Sequence, residues 1–166
     1  LRYEGYGPGS VAIIVETLTD NRNRTAPELR TIFGKNGGNI AEQNSVLFQF
    51  SHLGQVVYPA AVATADAVME AAIEAGADDV ESTEESHFIR MAVDDFGTVV
   101  AALEAKFGEP SEAKLIWIPN VSVEPSLAEA QTLMKLMEAI EDHDDVQAVY
   151  ANFELTEDVA AALDAA

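Results

Sequence analysis

Short apolar runs separated by polar, glycine-containing segments pattern the whole chain. VAIIVETLT (residues 11–19) is a β-branched run with the length of a buried strand, and SVLFQF (45–50) alternates with the period of two expected of a strand. A turn through His52, Leu53 and Gly54 leads to QVVYPA (55–60), read as the hairpin partner of that strand. FIRMAV (88–93), LIWIP (115–119) and VQAVYANFEL (146–155) supply further strands.

Between them the period lengthens to that of a helix. Val99, Val100, Leu103 and Phe107 fall on one face of a helix spanning 97–107, and Leu133, Leu136, Met137 and Ile140 mark a longer one over 126–140. DAVMEAAIEA (66–75) reads as a helix ending at Gly76. Thr25-Ala26-Pro27-Glu28 has the form of a capping box, so a helix is predicted from about Ala26 to Lys35, stopped by Gly37-Gly38. Gly5, Gly7, Pro8 and Gly9 read as a turn-rich entry, and a short Ala-rich helix is predicted after Thr156.

Strands interleaved with helices, without a repeat of fixed period, point to an α+β protein: two small α/β sandwiches with antiparallel sheets, each with helices on one face. With 48% apolar residues among 166, the chain holds enough material for one ordinary core or two small ones. No apolar run approaches the roughly 20 residues of a membrane span, and LRYEGYGPGS lacks the features of a signal peptide. The expectation is an intracellular chain without membrane partners. Its start at Leu1, without methionine, suggests a processed or trimmed product.

Charge divides the chain unevenly. Nine basic against 29 acidic side chains give −20. Residues 1–40 carry five basic and four acidic groups, net +1, so the remainder carries −21. Such a balance repels nucleic acid at long range, while a local patch can override it.

The candidate chemistry is sparse. Without cysteine there are no disulfides or thiolate metal sites, and no cofactor is implied. His52, His87 and His143 stand in no ligand spacing and read as solvent-facing or structural. Glu141-Asp142-His143-Asp144-Asp145 lacks the spacing of a calcium loop and reads as a solvated helix end; the carboxylates from Asp78 to Glu85 read as an exposed loop. The glycines of EGYGPGS precede a strand, whereas phosphate-binding loops follow one. No nucleophile elbow is present, and no enzyme is expected.

TDNRNRT (19–25) stands apart, with two arginines and two asparagines at a strand-to-helix junction and Arg30 and Lys35 further along the helix. Guanidinium forks suit phosphate oxygens. Equally, Arg22 and Arg24 can pair with the chain's own carboxylates while Asn21 and Asn23 stabilise a turn.

YEGYGPG, DNRNRT, KNGGN and DDVQAVYANFEL, in this order and spacing, resemble the YebC family, which includes the mitochondrial translational activator of cytochrome oxidase. The resemblance spans nearly the whole chain. It implies two α+β domains, a ferredoxin-like one (57–120) inserted into the other (1–56 with 121–166), preceded in the family by a basic helical domain that this chain lacks. It also implies a non-enzymatic regulator of gene expression, cytoplasmic or in the mitochondrial matrix, acting on DNA or on the ribosome and its RNA. Carried over by position, the contacts would be Asn21, Arg22, Asn23, Arg24, Lys35 and the Gly37-Gly38 turn, with no metal. The chain departs from the family in having Ala41 and Asn44 where glycines are common. The alternative is an acidic module that docks basic proteins such as those of the ribosome.

Overall fold

The computed structural model describes residues 1–19 and 21–165, and of Arg22 only the backbone. The regular elements in chain order are β1 (Arg2–Gly7), β2 (Val11–Thr17), α1 (Arg22–Lys35), β3 (Asn39–Ile40), β4 (Phe50–Pro59), α2 (Ala65–Ala75), β5 (Asp79–Ser82), β6 (Ser86–Ala92), α3 (Phe96–Phe107), β7 (Glu112–Pro119), α4 (Leu127–Glu141), β8 (Val146–Ala151) and α5 (Glu157–Asp164). They form two compact units, Leu1–Ser51 with Ile118–Ala166, and His52–Trp117. The fold is α+β, and the described residues form two four-stranded sheets and five α-helices.

The first unit is built on the sheet β3-β1-β2-β8, antiparallel throughout. Val11, Ile13 and Val15 alternate along β2 onto one face, where Leu29 and Phe33 of α1 meet Leu133, Leu136 and Ile140 of α4 in a core fully removed from solvent. The i, i+3, i+7 spacing on α4 is therefore the core-facing stripe predicted for it. Ser126 caps α4 in a reciprocal box: its hydroxyl accepts from the Glu129 N–H, and Glu129 accepts from the Ser126 N–H.

The second unit has the order β5-β6-β4-β7 with β-α-β-β-α-β connectivity, the ferredoxin-like arrangement. Val56 and Tyr58 of β4 and Ile89 and Met91 of β6 face Val68, Ala71 and Ala72 of α2 and Val99 and Leu103 of α3. Thr64 caps α2 through the Ala67 N–H, and Gly76 ends it with φ +102°, the left-handed conformation that costs glycine least.

Four expected elements are corrected. The entry read as a turn is a strand, β1, in register with β2 from Arg2↔Glu16 to Gly7↔Val11. Glycine hid it, since glycine carries no strand signal, and here its missing Cβ is what the packing requires. A Cβ on Gly5 would lie 2.7 Å from the Phe33 ring and 2.7 Å from the Asn39 carbonyl oxygen. The predicted hairpin of SVLFQF with QVVYPA is instead a single ten-residue strand, β4, after a short 3-10 turn at Leu47–Gln49. Gly54 is no turn residue; it makes room for Met91 and Phe96, whose side chains would stand 2.6 Å from its Cβ. The acidic stretch taken as a loop contains the edge strand β5, paired with β6 from Asp79↔Arg90 to Ser82↔His87. Finally, α1 starts at Arg22 with Asn21 at its N-cap, so Thr25 lies inside the helix.

Among the described residues no helix is long and apolar enough to cross a membrane.

Candidate nucleic-acid interface

Helix α1 carries most of the predicted contact residues, and its first turn is held by local bonds. The Asn21 N–H donates to the Thr19 hydroxyl (3.0 Å), while the Arg24 and Thr25 N–H groups donate to the Asn21 carbonyl at 3.1 and 3.2 Å. Thr25 is fully buried, and its hydroxyl donates to Asp145 Oδ2 at 2.7 Å. Above it, Arg24 Nη2 donates to both Asp145 oxygens, at 2.9 and 2.8 Å. The Arg24 side chain remains 46% exposed while that of Asp145 is 11% exposed, so the carboxylate is the buried member of the pair.

The hydrogen bonds from Arg24 and then Thr25, aided by Thr19 and the Arg24 charge, hold the Asp145 carboxyl at about 2, against an ordinary 3.8; desolvation opposes them and loses. A carboxyl depressed in this way stabilises the fold fully above its ordinary value, and that contribution drains away as pH falls from about 4 to about 2. In urea titrations, the gap in stability between the native chain and Asp145→Asn is expected to be constant above pH 5 and to narrow across that window. A gap that is flat down to pH 2 would contradict the assignment.

The same loop fixes a histidine. The Asp145 N–H donates to His143 Nδ1 at 3.1 Å, which leaves the proton on Nε2, directed to the carboxylate of Glu28 on α1. Arg24, Glu28, His143 and the carboxylates 142, 144 and 145 line a shallow depression of about 370 Å³. The stretch 141–145 was expected to be a solvated helix end; Asp142 and Asp144 are exposed, but Asp145 is buried and His143 half-buried. The other histidines are also structural in their bonding: buried His87 bridges the Ser82 hydroxyl (2.7 Å) to the Ala63 carbonyl (3.0 Å), and His52 stacks on Trp117 at 4.1 Å.

The predicted contacts are distributed along the helix rather than gathered. Asn21, Asn23 and Arg24 stand exposed at the N-terminal end; the Arg22 side chain lies outside the described residues. Lys35 is exposed at the other end, about 16 Å from Arg24 along the axis at 1.5 Å per residue. Eleven residues apart, Arg24 and Lys35 share one flank of the helix, and Asn23 and Arg30, seven apart, share another. Among the described residues Arg30 and Lys35 make no ion pair, whereas Arg2, Arg90 and Lys114 are drawn to Glu4, Glu81 and Glu112. Gly37 and Gly38 have structural reasons to be glycine: Gly37 has φ +77°, and a Cβ on Gly38 would come within 2.4 Å of the Tyr6 carbonyl oxygen.

The departure at Asn44 also has a physical reading. Its φ is +70°, a left-handed conformation that asparagine tolerates best after glycine, and Arg2 Nη2 donates to its side-chain oxygen at 3.1 Å. The Asn44 N–H, with that of Val46, donates to the buried carboxylate of Glu4 at 2.5 and 3.0 Å.

Two residues outside the predicted set organise this unit. Asp145 ties α1 to the strand β8, and fully buried Asn152 joins β2 to the turn before β4. Asn152 Oδ1 accepts from the Ala12 N–H at 2.7 Å, and its Nδ2 donates to Gln49 Oε1 at 2.9 Å. An asparagine within an apolar strand run, VQAVYANFEL, was the available signal.

Among the described residues no group of three or more acidic or histidine side chains is placed to hold a metal ion. The molecule is a two-unit α+β protein in which helix α1 of the first unit carries the exposed cations Arg24, Arg30 and Lys35. Residues 1–153 match the family model described as "TACO1/YebC second and third domain", and the chain belongs to that family. Its fold is similar to the crystal structure of a conserved hypothetical protein, Aq1575, from Aquifex aeolicus, with 40% identity and a TM-score of 0.83. That match covers 95% of this chain and 65% of the Aquifex chain, so the present chain spans a little under two thirds of that relative. Membership is consistent with a regulator, and the family is one of transcriptional regulators rather than enzymes.

Proposed function

We propose that this chain is a non-enzymatic regulator of gene expression that reaches nucleic acid, as DNA or as the RNA of the ribosome, through the exposed side chains of α1. The observation that carries this reading is the pair Arg30 and Lys35, exposed and without ion pairs among the described residues, on a helix whose N-terminal turn presents Asn21, Asn23 and Arg24. The electrostatic logic is local. Across −20 of net charge, the positive groups of residues 1–40 are concentrated on this one helix.

Few phosphates can be neutralised in this way, so binding by these residues alone is weak and its salt dependence shallow. Four cations on α1 (Arg22, Arg24, Arg30 and Lys35) set a limiting slope of about −4 for the logarithm of the binding constant against that of salt, at about 0.9 per phosphate. Anisotropy titrations of the chain with duplex DNA and single-stranded RNA at two salt concentrations test this. Tight binding with a much steeper slope would contradict it.

A second reading, an acidic module that docks basic proteins, is favoured by the Arg24–Asp145 pair. That bond ties up one of the cations the first reading requires.

A further inference from the structure

Helix α2 presents two parallel stripes to solvent. Ala65, Met69 and Ile73, four residues apart, form an apolar stripe, with Met69 42% and Ile73 65% exposed. Beside it, one residue further along at each step, Asp66, Glu70 and Glu74 form an acidic one, and α2 carries no basic residue. None of these three carboxylates has an ion-pair partner among the described residues, and like charges at i, i+4 repel one another along a helix. The inward face of α2 is already satisfied, since Val68, Ala71 and Ala72 fill the core with α3, β4 and β6.

We propose that this outward face of α2 docks an amphipathic, basic segment of a partner protein, its apolar residues covering Met69 and Ile73 and its lysines or arginines meeting Asp66, Glu70 and Glu74. Apolar side chains at helical spacing with a charged flank match the way an amphipathic helix engages a protein surface. Charge selects the occupant. The unit His52–Trp117 holds thirteen acidic and three basic residues, net −10. A second copy would set −10 against −10, and nucleic acid or an anionic membrane would meet the same repulsion. A basic protein segment gains from both stripes at once. The proposal rests on the second reading of function, not on the contacts of α1.

The test uses the 166-residue chain, titrated with a synthetic Leu/Lys amphipathic helical peptide and followed by calorimetry and by amide chemical shifts. Saturable binding is expected, with the largest shifts along Ala65–Ala75. A Leu/Glu version of the peptide and a scrambled Leu/Lys version should fail to bind in this way. Met69→Ser with Ile73→Ser should weaken the interaction by about tenfold or more, because both apolar anchors are removed from exposed positions where the substitutions leave the core intact. Unchanged melting of that variant separates failed docking from failed folding. Equal binding of the scrambled peptide, or binding that survives Met69→Ser with Ile73→Ser and is abolished instead in Asp142→Asn with Asp144→Asn, would overturn the proposal while leaving the acidic-module reading in place. No binding of any basic peptide would overturn both.

Discussion

Replacing Phe33 with alanine is expected to destabilise the chain by about 3–5 kcal/mol, the cost of emptying a buried aromatic site. Phe33 is fully buried between the sheet and α4, and its ring lies against β1 where Gly5 leaves space. The close fit of ring and glycine makes the expectation more specific than a cavity cost. Gly5→Ala on its own should cost about 1–3 kcal/mol, because the added methyl would press on the ring and on the Asn39 carbonyl. In the Phe33→Ala background the ring is gone and only the carbonyl clash persists, so the second substitution should cost less there. Equilibrium denaturation of the four chains measures the coupling, and strict additivity would show that ring and glycine do not share the space.

Asn152→Ala is expected to be costly out of proportion to the atoms removed. It leaves the buried Ala12 N–H, near the start of β2, without its acceptor, and takes the donor from Gln49 Oε1. An unsatisfied buried group costs about 1–3 kcal/mol, and both partners are affected here, so the upper end of that range is expected. Hydrogen exchange gives a local readout, in which the Ala12 amide should lose protection beyond the global fall in stability. Retained protection at Ala12 would mean that another acceptor takes over.

Both residues show what a linear reading can and cannot recover. The stripe Leu133, Leu136 and Ile140 on α4 was legible because an amphipathic helix repeats its burial every three or four residues and the period survives in the sequence. β1 was not, because its glycines are selected by what packs against them, Phe33 at Gly5 and Leu133 at Gly7, and a close approach leaves no periodic trace. β4 was split in two for the same reason at Gly54. At the candidate site, the cations of DNRNRT were visible as a local cluster. Their relation to Asp145, 121 residues away from Arg24, was not, since nothing local marks a long-range pair. Thr25 is instructive: its place beside Pro27 and Glu28 suggested an N-cap, yet the buried carboxylate of Asp145 claims its hydroxyl and the helix begins a turn earlier.

Helix α1 therefore carries two kinds of cation. Arg24 is committed to Asp145 and holds the first turn in place, while Arg30 and Lys35 stand exposed and unpaired among the described residues. The most direct test of the proposed interface is the salt dependence of nucleic-acid binding by the native chain compared with Arg30→Ala/Lys35→Ala. If these two side chains neutralise phosphates, the slope should become shallower by about 2, roughly one unit for each cation removed, with no change in melting temperature. A slope identical in the two chains would show that nucleic acid is not held by Arg30 and Lys35.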